Sequence, residues 1–272
     1  MKKKWLGLIA GAGLFLFVGC GGNQETAEET PVTNDSEQVS VNQDEQAEKD
    51  AKTLLNFLYQ GKRSEQLRDV TNQSSDSIDS YLVSELSKKQ DEMFAENENR
   101  DDYYLVIDDS NYYASDIVKD YAEAYLKQTK RISFDIQNVN VSGDEATVVA
   151  SYYPIAGLQE ANPIGAARTE LFGGIDEDTF IRKSQNKDLK TIKSLITLKL
   201  YAIYYGELDY DAEKVLSPVE LEFTLTKKGD HFMANDDVIY QLVKESRIST
   251  YQDNSSDSET TESLIEESAS EY

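Results

Sequence analysis

Amphipathic helices packed on one face of an antiparallel sheet, an α+β architecture, are what this sequence predicts. Helical spacing of apolar residues dominates positions 47–130. Strict alternation then marks two hairpins, each turning at Gly-Asp: VNVSGDEATVVASYY and LEFTLTKKGDHFMA. Between them, Leu189 to Tyr205 returns to helical spacing. Helices first, then hairpin, helix and hairpin, give a sheet built from two hairpins with helices on one side, the two being either adjacent parts of one curved sheet or a weak duplication.

Residues 21–46 hold Gly, Asn, Gln, Thr and acids with almost nothing bulky and apolar. Such a stretch buries too little surface to offset chain entropy, so it is expected to be a disordered tether reaching roughly 25–30 Å. Order is expected from Ala47, where Ala47, Ala51, Leu54, Leu55 and Leu58 form one helical stripe ending at Gly61. Residues 78–98 carry Ile78, Leu82, Leu86, Met93 and Phe94 as a second amphipathic helix. Tyr104 to Ile107 fit either a strand or a connector, and residues 112–130 predict a third helix through Tyr113, Ile117, Tyr121 and Tyr125.

In the first hairpin, Ile132, Phe134 and Ile136 alternate on one parity and Val139 and Val141 on the other, which calls for a bulge near Gln137 or Asn138. Residues 154–178, with two prolines and four glycines, read as a long irregular connection, a frequent place for function. In the second hairpin Val219, Leu221, Phe223 and Leu225 alternate with Glu220, Glu222, Thr224 and Thr226, so one face is buried and the other wet. Asp236 or Asp237 is expected to cap a last helix through Val238, Leu242 and Val243. The 247–272 segment is Ser/Thr and acid, a disordered tail. The folded part is thus 47–246, as one domain or as two subunits, 47–154 and 155–246.

Composition removes whole classes of chemistry. Lys+Arg is 27 against Asp+Glu 51, a formal net charge of −24 that repels nucleic acid and anionic surfaces. With Cys20 as the sole cysteine and His231 as the sole histidine, neither a disulfide framework nor a two-histidine zinc site can form within the chain. A Ser–His–Asp triad through His231 is formally open, but KKGDHFMAND reads as a hairpin. No GxGxxG follows a strand and no GKS or GKT is present, so no phosphate cradle and no cofactor are implied.

Acidic clusters at Asp101-Asp102, Asp108-Asp109, Asp176 to Asp178, Asp209 to Glu213 and Asp236-Asp237 are read as solvated acids. The Asp209 series lacks the central Gly and terminal Glu of a calcium loop, so no metal site is assigned. Tyrosine is abundant, 17 residues with four adjacent pairs. Tyr152-Tyr153 and Tyr204-Tyr205 are the candidate ligand-binding residues, because exposed tyrosines beside a concave face combine ring area with a hydroxyl. Neighbours on a strand point to opposite faces, so Tyr152 and Tyr153 cannot both be core.

The first residues give an address. Lys2, Lys3 and Lys4 precede an apolar run from Trp5 to Val18, which ends in Gly19-Cys20-Gly21-Gly22. Positive start, short apolar centre and small residues at the close are the layout of a secretory signal over residues 1–19. The last positions resemble the lipobox of bacterial lipoproteins, in which the cysteine is lipidated and becomes the new N-terminus; Phe17 stands where that family usually has Leu. The signal holds three of the lysines and no acid, so the chain beyond it is near −27.

An opening helix like AKTLLNFLYQGK with later strands around Gly-Asp turns resembles uncharacterised lipoprotein domains of Gram-positive bacteria, which are similar to the NTF2-like or cystatin-like group. The resemblance covers roughly 47–246 and implies a concave sheet face but no catalytic residue. The sequence therefore predicts a non-enzymatic protein held through lipid on Cys20 at the extracytoplasmic face of the cell membrane. There it is expected to bind an envelope protein or a small ligand, and not nucleic acid. The alternative is a structural or stress-linked envelope lipoprotein with no ligand site; a hydrolase comes third.

Overall fold

The opening helix of the fold, α1 (Asp35–Gln60), starts twelve residues before the expected Ala47. No Gly or Pro interrupts residues 35–60, and the extension is held from outside. Asp44 accepts the Val141 N–H at 3.0 Å, and Gln46 Nε2 lies 3.3 Å from His231 Nδ1. Gly61 ends α1 in the left-handed region, φ 63°, so that its N–H and that of Lys62 turn back onto the carbonyls of Phe57 and Asn56. A side chain at Gly61 would also press on Lys130 Cβ at 3.3 Å.

The computed structural model describes residues 35–94, 98–155, 164–184, 187–207 and 217–246, and those from Ser36 onward belong to one compact unit. After α1 come α2 (Leu67–Thr71) and α3 (Ser75–Lys89), the latter capped by the Ser74 side chain. The helix expected over 78–98 therefore starts earlier and gives way to a 3₁₀ turn at Gln90–Met93. The ambiguous Tyr104–Ile107 is strand β1, and β2 (Ser110–Tyr113) pairs with it across Asp108 and Asp109. Both aspartates are left-handed, φ 49° and 57°, as a two-residue hairpin turn requires. Tyr112 and Tyr113 thus belong to a strand, and α4 (Ala114–Thr129) begins after them.

β3 (Phe134–Ser142) and β4 (Glu145–Tyr152) form the first hairpin, with the expected register shift between Ile136 and Asn138. The connection expected to be irregular over 154–178 contains helices instead: α5 (Ile164–Phe172) and the start of α6 (Glu177–Ser184). Asp176 caps α6, accepting the Thr179 N–H and hydroxyl, each at 2.8 Å, and those bonds lower its pKa. Asp188 caps α7 (Leu189–Glu207) in the same way through Thr191. β5 (Val219–Lys228) and β6 (His231–Met233) close the sheet, and α8 (Asp236–Lys244) follows. The α8 cap is Asn235, not Asp236 or Asp237; its side chain accepts the Val238 N–H at 2.9 Å.

The two hairpins lie side by side in one four-stranded antiparallel sheet of order β3-β4-β5-β6. Its inner rows, Ala146, Val148 and Ala150 of β4 with Leu221, Phe223 and Leu225 of β5, are buried in a core shared with Leu54, Leu58, Ile78, Ile239 and Leu242. That inner face is filled by the core. A second core gathers Leu105, Ile117, Val118, Leu171, Phe180, Ile192 and Leu195. Both cores run along the α4–α7 pair: Tyr125, Tyr204 and Tyr205 serve the first, Ile117 and Leu195 the second.

One side of the C-terminal end of α8 is buried, at Leu242, Val243 and Ser246, and the last carbonyls of the helix have no helical partner of their own. Three tyrosines from three other elements supply donors. Tyr59 of α1 donates to the Leu242 carbonyl at 2.8 Å, Tyr125 of α4 to Val243 at 2.8 Å, and Tyr152 of β4 to Glu245 at 2.5 Å. Ile155 N–H donates to the Ser246 carbonyl at 2.9 Å. Burial raises the Tyr59 phenol well above 10 and pushes Tyr152 up to about 12.

Replacing Tyr59 by Phe leaves the Leu242 carbonyl without its side-chain donor. Val243 keeps the Ser246 N–H and hydroxyl when Tyr125 is replaced, and Glu245, the acceptor for Tyr152, is exposed, so the Tyr59 change is expected to be the costliest of the three. Each change is expected to cost about 1–3 kcal/mol, read as a lower urea midpoint at unchanged slope. Alkali attacks the same contacts. An unfolded tyrosine ionises near 10 while folded Tyr152 holds its proton to about 12, so stability is full below pH 10 and falls as pH rises. This hydroxyl alone contributes a loss of about 1.4 kcal/mol per pH unit across that window. Urea unfolding at stepped pH, followed with tyrosinate absorbance, should show these two phenols ionising only as the chain unfolds.

Candidate functional site

Three of the four candidate ligand tyrosines are core residues. Tyr152 is 3% exposed and spends its hydroxyl on α8; Tyr204 and Tyr205 are 1% and 0% exposed. Tyr205 packs its ring on Tyr125 at 5.6 Å and on Tyr201 at 5.5 Å. Tyr153, on the opposite parity from Tyr152, is half-buried beyond the end of β4. These four rings therefore do not converge on a ligand face. The strand argument separated Tyr152 from Tyr153 correctly, but helical Tyr204 and Tyr205 are both buried because α7 is covered on most of its circumference. Cys20 lies outside the described residues.

The acids have local work. Asp176 and Asp188 cap helices, Asp101 accepts the Ser115 N–H at 3.2 Å, and Asp102 pairs with Lys187 at 3.4 Å. Asp236 accepts from Gln73 at 2.5 Å. Among the described residues no three His, Cys, Asp or Glu side chains gather as a cation site. The Asp209 to Glu213 series lies outside them.

His231 has a structural assignment. Asp50 on α1 is 2% exposed, and its carboxylate accepts the Phe232 N–H at 2.8 Å and faces His231 Nδ1 at 3.0 Å. A proton on Nδ1 lets the ring donate to this carboxylate, and Gln46 Nε2 lies 3.3 Å from the same nitrogen. Among the described residues no serine, threonine or cysteine hydrogen-bonds to the ring. The contact pins strand β6 to α1.

A surface trough does form between α4 and α7, with a volume of about 330 Å³. Ala124, Ala202 and Gly206 leave the space between the helices, and Asp120, Glu123, Lys127 and Lys199 edge it. Lys199 is the residue the sequence reading missed. It reaches Asp120 at 2.7 Å and lies 5.1 Å from the ring centre of Tyr112 on β2. Tyr112 and Tyr113 are 39% and 43% exposed, so exposed aromatic area lies on the small hairpin and not at the four tyrosines that the sequence analysis selected. Glu170 of α5 is raised from its ordinary value by partial burial and by a hydrogen bond to Glu207 at the end of α7. The trough holds the Lys199–Asp120 ion pair at its edge, and Lys199 links it to the exposed Tyr112 ring. A lysine inside the apolar run LITLKLYAIYY was the available signal.

No protein-family model matches this chain, and no curated protein matches it. Among solved structures it is similar to a provisionally assigned lipoprotein (ycdA) of Bacillus subtilis, at 15% identity and a TM-score of 0.46. The likeness covers 80% of this chain and 60% of that one, so the chain spans less than two thirds of that structure's length.

Asp50→Ala removes the acceptor for a buried N–H and for the imidazole, and is expected to cost about 2–4 kcal/mol; Asp50→Asn, which keeps an acceptor, should cost less. Urea denaturation measures both. Because His231 is the chain's single histidine, its ring ¹⁵N shifts should report the Nδ1–H form directly.

Proposed function

We propose that this chain is a lipid-anchored lipoprotein of the extracytoplasmic face of the cell membrane, acting without catalysis by contact with an envelope protein or a small ligand. One observation carries the proposal: a lone cysteine, Cys20, closes a signal-like segment of three lysines and a short apolar run. The acidic chain beyond it suits a body held off an anionic surface. No described helix is long and apolar enough to cross a membrane, which fits attachment by lipid. Helices over one face of a four-stranded antiparallel sheet support the kinship with NTF2-like or cystatin-like lipoprotein domains, as part of the same proposal. Contact falls to the α4–α7 trough and the exposed Tyr112 and Tyr113, since the inner sheet face is occupied by core.

That filled face also favours a second reading, a structural envelope lipoprotein with no ligand site. The two share the anchor. Cys20→Ala is expected to remove the lipid, leaving the protein unprocessed or released to the medium, with a mass lacking the acyl chains. Unchanged membrane retention with an unchanged mature mass contradicts the proposal; fractionation and intact-mass measurement decide it.

A further inference from the structure

The two helix faces that form the α4–α7 trough carry the same spacing. Asp120, Glu123, Ala124 and Lys127 on α4 stand at i, i+3, i+4 and i+7, as do Lys199, Ala202, Ile203 and Gly206 on α7. Lys199 pairs with Asp120 at 2.7 Å, and Gln128 donates to the Tyr205 carbonyl. The helices therefore run in the same direction, and Lys127 falls beside Gly206. Between the two ends the floor is apolar, made by Ala124, Ala202 and Ile203.

The ends differ in charge. At one, Asp120 is held by Lys199, and Glu123 reaches Lys119 at 3.7 Å. At the other, Lys127 has no hydrogen-bond or ion-pair partner among the described residues. Space is open beside it, since a Cβ on Gly206 would meet no described atom within 4 Å. The φ of Gly206 is not left-handed, so the backbone there does not require glycine.

We propose that the trough binds a short peptide of about three residues laid along its length. The peptide's C-terminal carboxylate meets Lys127, its side chains cover Ala124, Ala202 and Ile203, and its ammonium faces the carboxylates of Asp120 and Glu123. This rests on the contact role proposed for the trough and names its ligand. An unpaired ammonium takes a carboxylate in a charge-assisted hydrogen bond. Length sets the rest: from residue 120 to 127 a helix rises about 10.5 Å, and three extended residues span about 10 Å. A free amino acid reaches only one end, and Asp120 with Glu123 repels a polyanion.

Calorimetric titration of trialanine into the full chain in detergent micelles, at about 0.1 M salt, tests this. Lys127→Ala should weaken binding about tenfold, and amidating the peptide's C-terminus should do the same. Variant and amide together should weaken it no further, because both remove one contact. Gly206→Leu fills the open space and should abolish binding while the circular dichroism spectrum and urea midpoint are kept. Trialanine binding indifferent to Lys127→Ala overturns the assignment, as does free alanine binding equally well. So does the absence of saturable binding up to about 10 mM trialanine. Cys20→Ala tests the anchor separately, so an anchored chain that ignores trialanine overturns the peptide ligand and leaves the lipoprotein reading standing.

Discussion

The buried end of α8 imposes a demand that the rest of the first core is arranged to meet. A helix terminus leaves carbonyls without partners, and burying them unpaired costs on the order of 1–3 kcal/mol each. Here the donors come from α1, α4 and β4, through Tyr59, Tyr125 and Tyr152. Three elements far apart in sequence are therefore held to one another by their common attachment to α8. The apolar side of α8, Ile239, Leu242 and Val243, fills the core beneath the same contacts. Packing and hydrogen bonding fix the same geometry, so neither can shift without cost to the other.

The opposite end of α1 works by similar means. Asp44 and Asp50, nearly two turns apart, accept backbone N–H groups from β3 and β6, the two outer strands. One helix thus spans the end of the sheet and ties both edges. The α4–α7 pair extends this body into the second core, and the trough between them exists because Ala124, Ala202 and Gly206 are too small to close it. The surface features left outside the cores are the trough, the Lys199–Asp120 pair and the exposed hairpin tyrosines, because the sheet's inner surface is spent on stability.

What could be read from the chain follows how local each signal was. The two hairpins were legible because alternation, the Gly-Asp turns and the bulge at Gln137 are properties of adjacent residues. The helical start at Asp35 was not, since the contact from Asp44 to Val141 spans 97 positions. Helices α5 and α6 were hidden by the glycines and prolines around them, although Asp176 three residues before Thr179 is a local capping signal. The tyrosines misled for the same reason: the hydroxyl of Tyr152 finds its acceptor 93 residues away, and no local pattern distinguishes that ring from an exposed one. The reading of Cys20 rests on the chain alone, because a signal is read along the sequence rather than across a fold, and it lies outside the described residues.

Removing α8 tests the central claim most directly. A chain ending at Ala234 keeps all four sheet strands and α1 to α7 but deletes the acceptors of Tyr59, Tyr125 and Tyr152. Urea unfolding followed by circular dichroism should then show a broad, non-cooperative loss of structure starting without denaturant. A sharp transition at the midpoint of the intact chain would contradict the account.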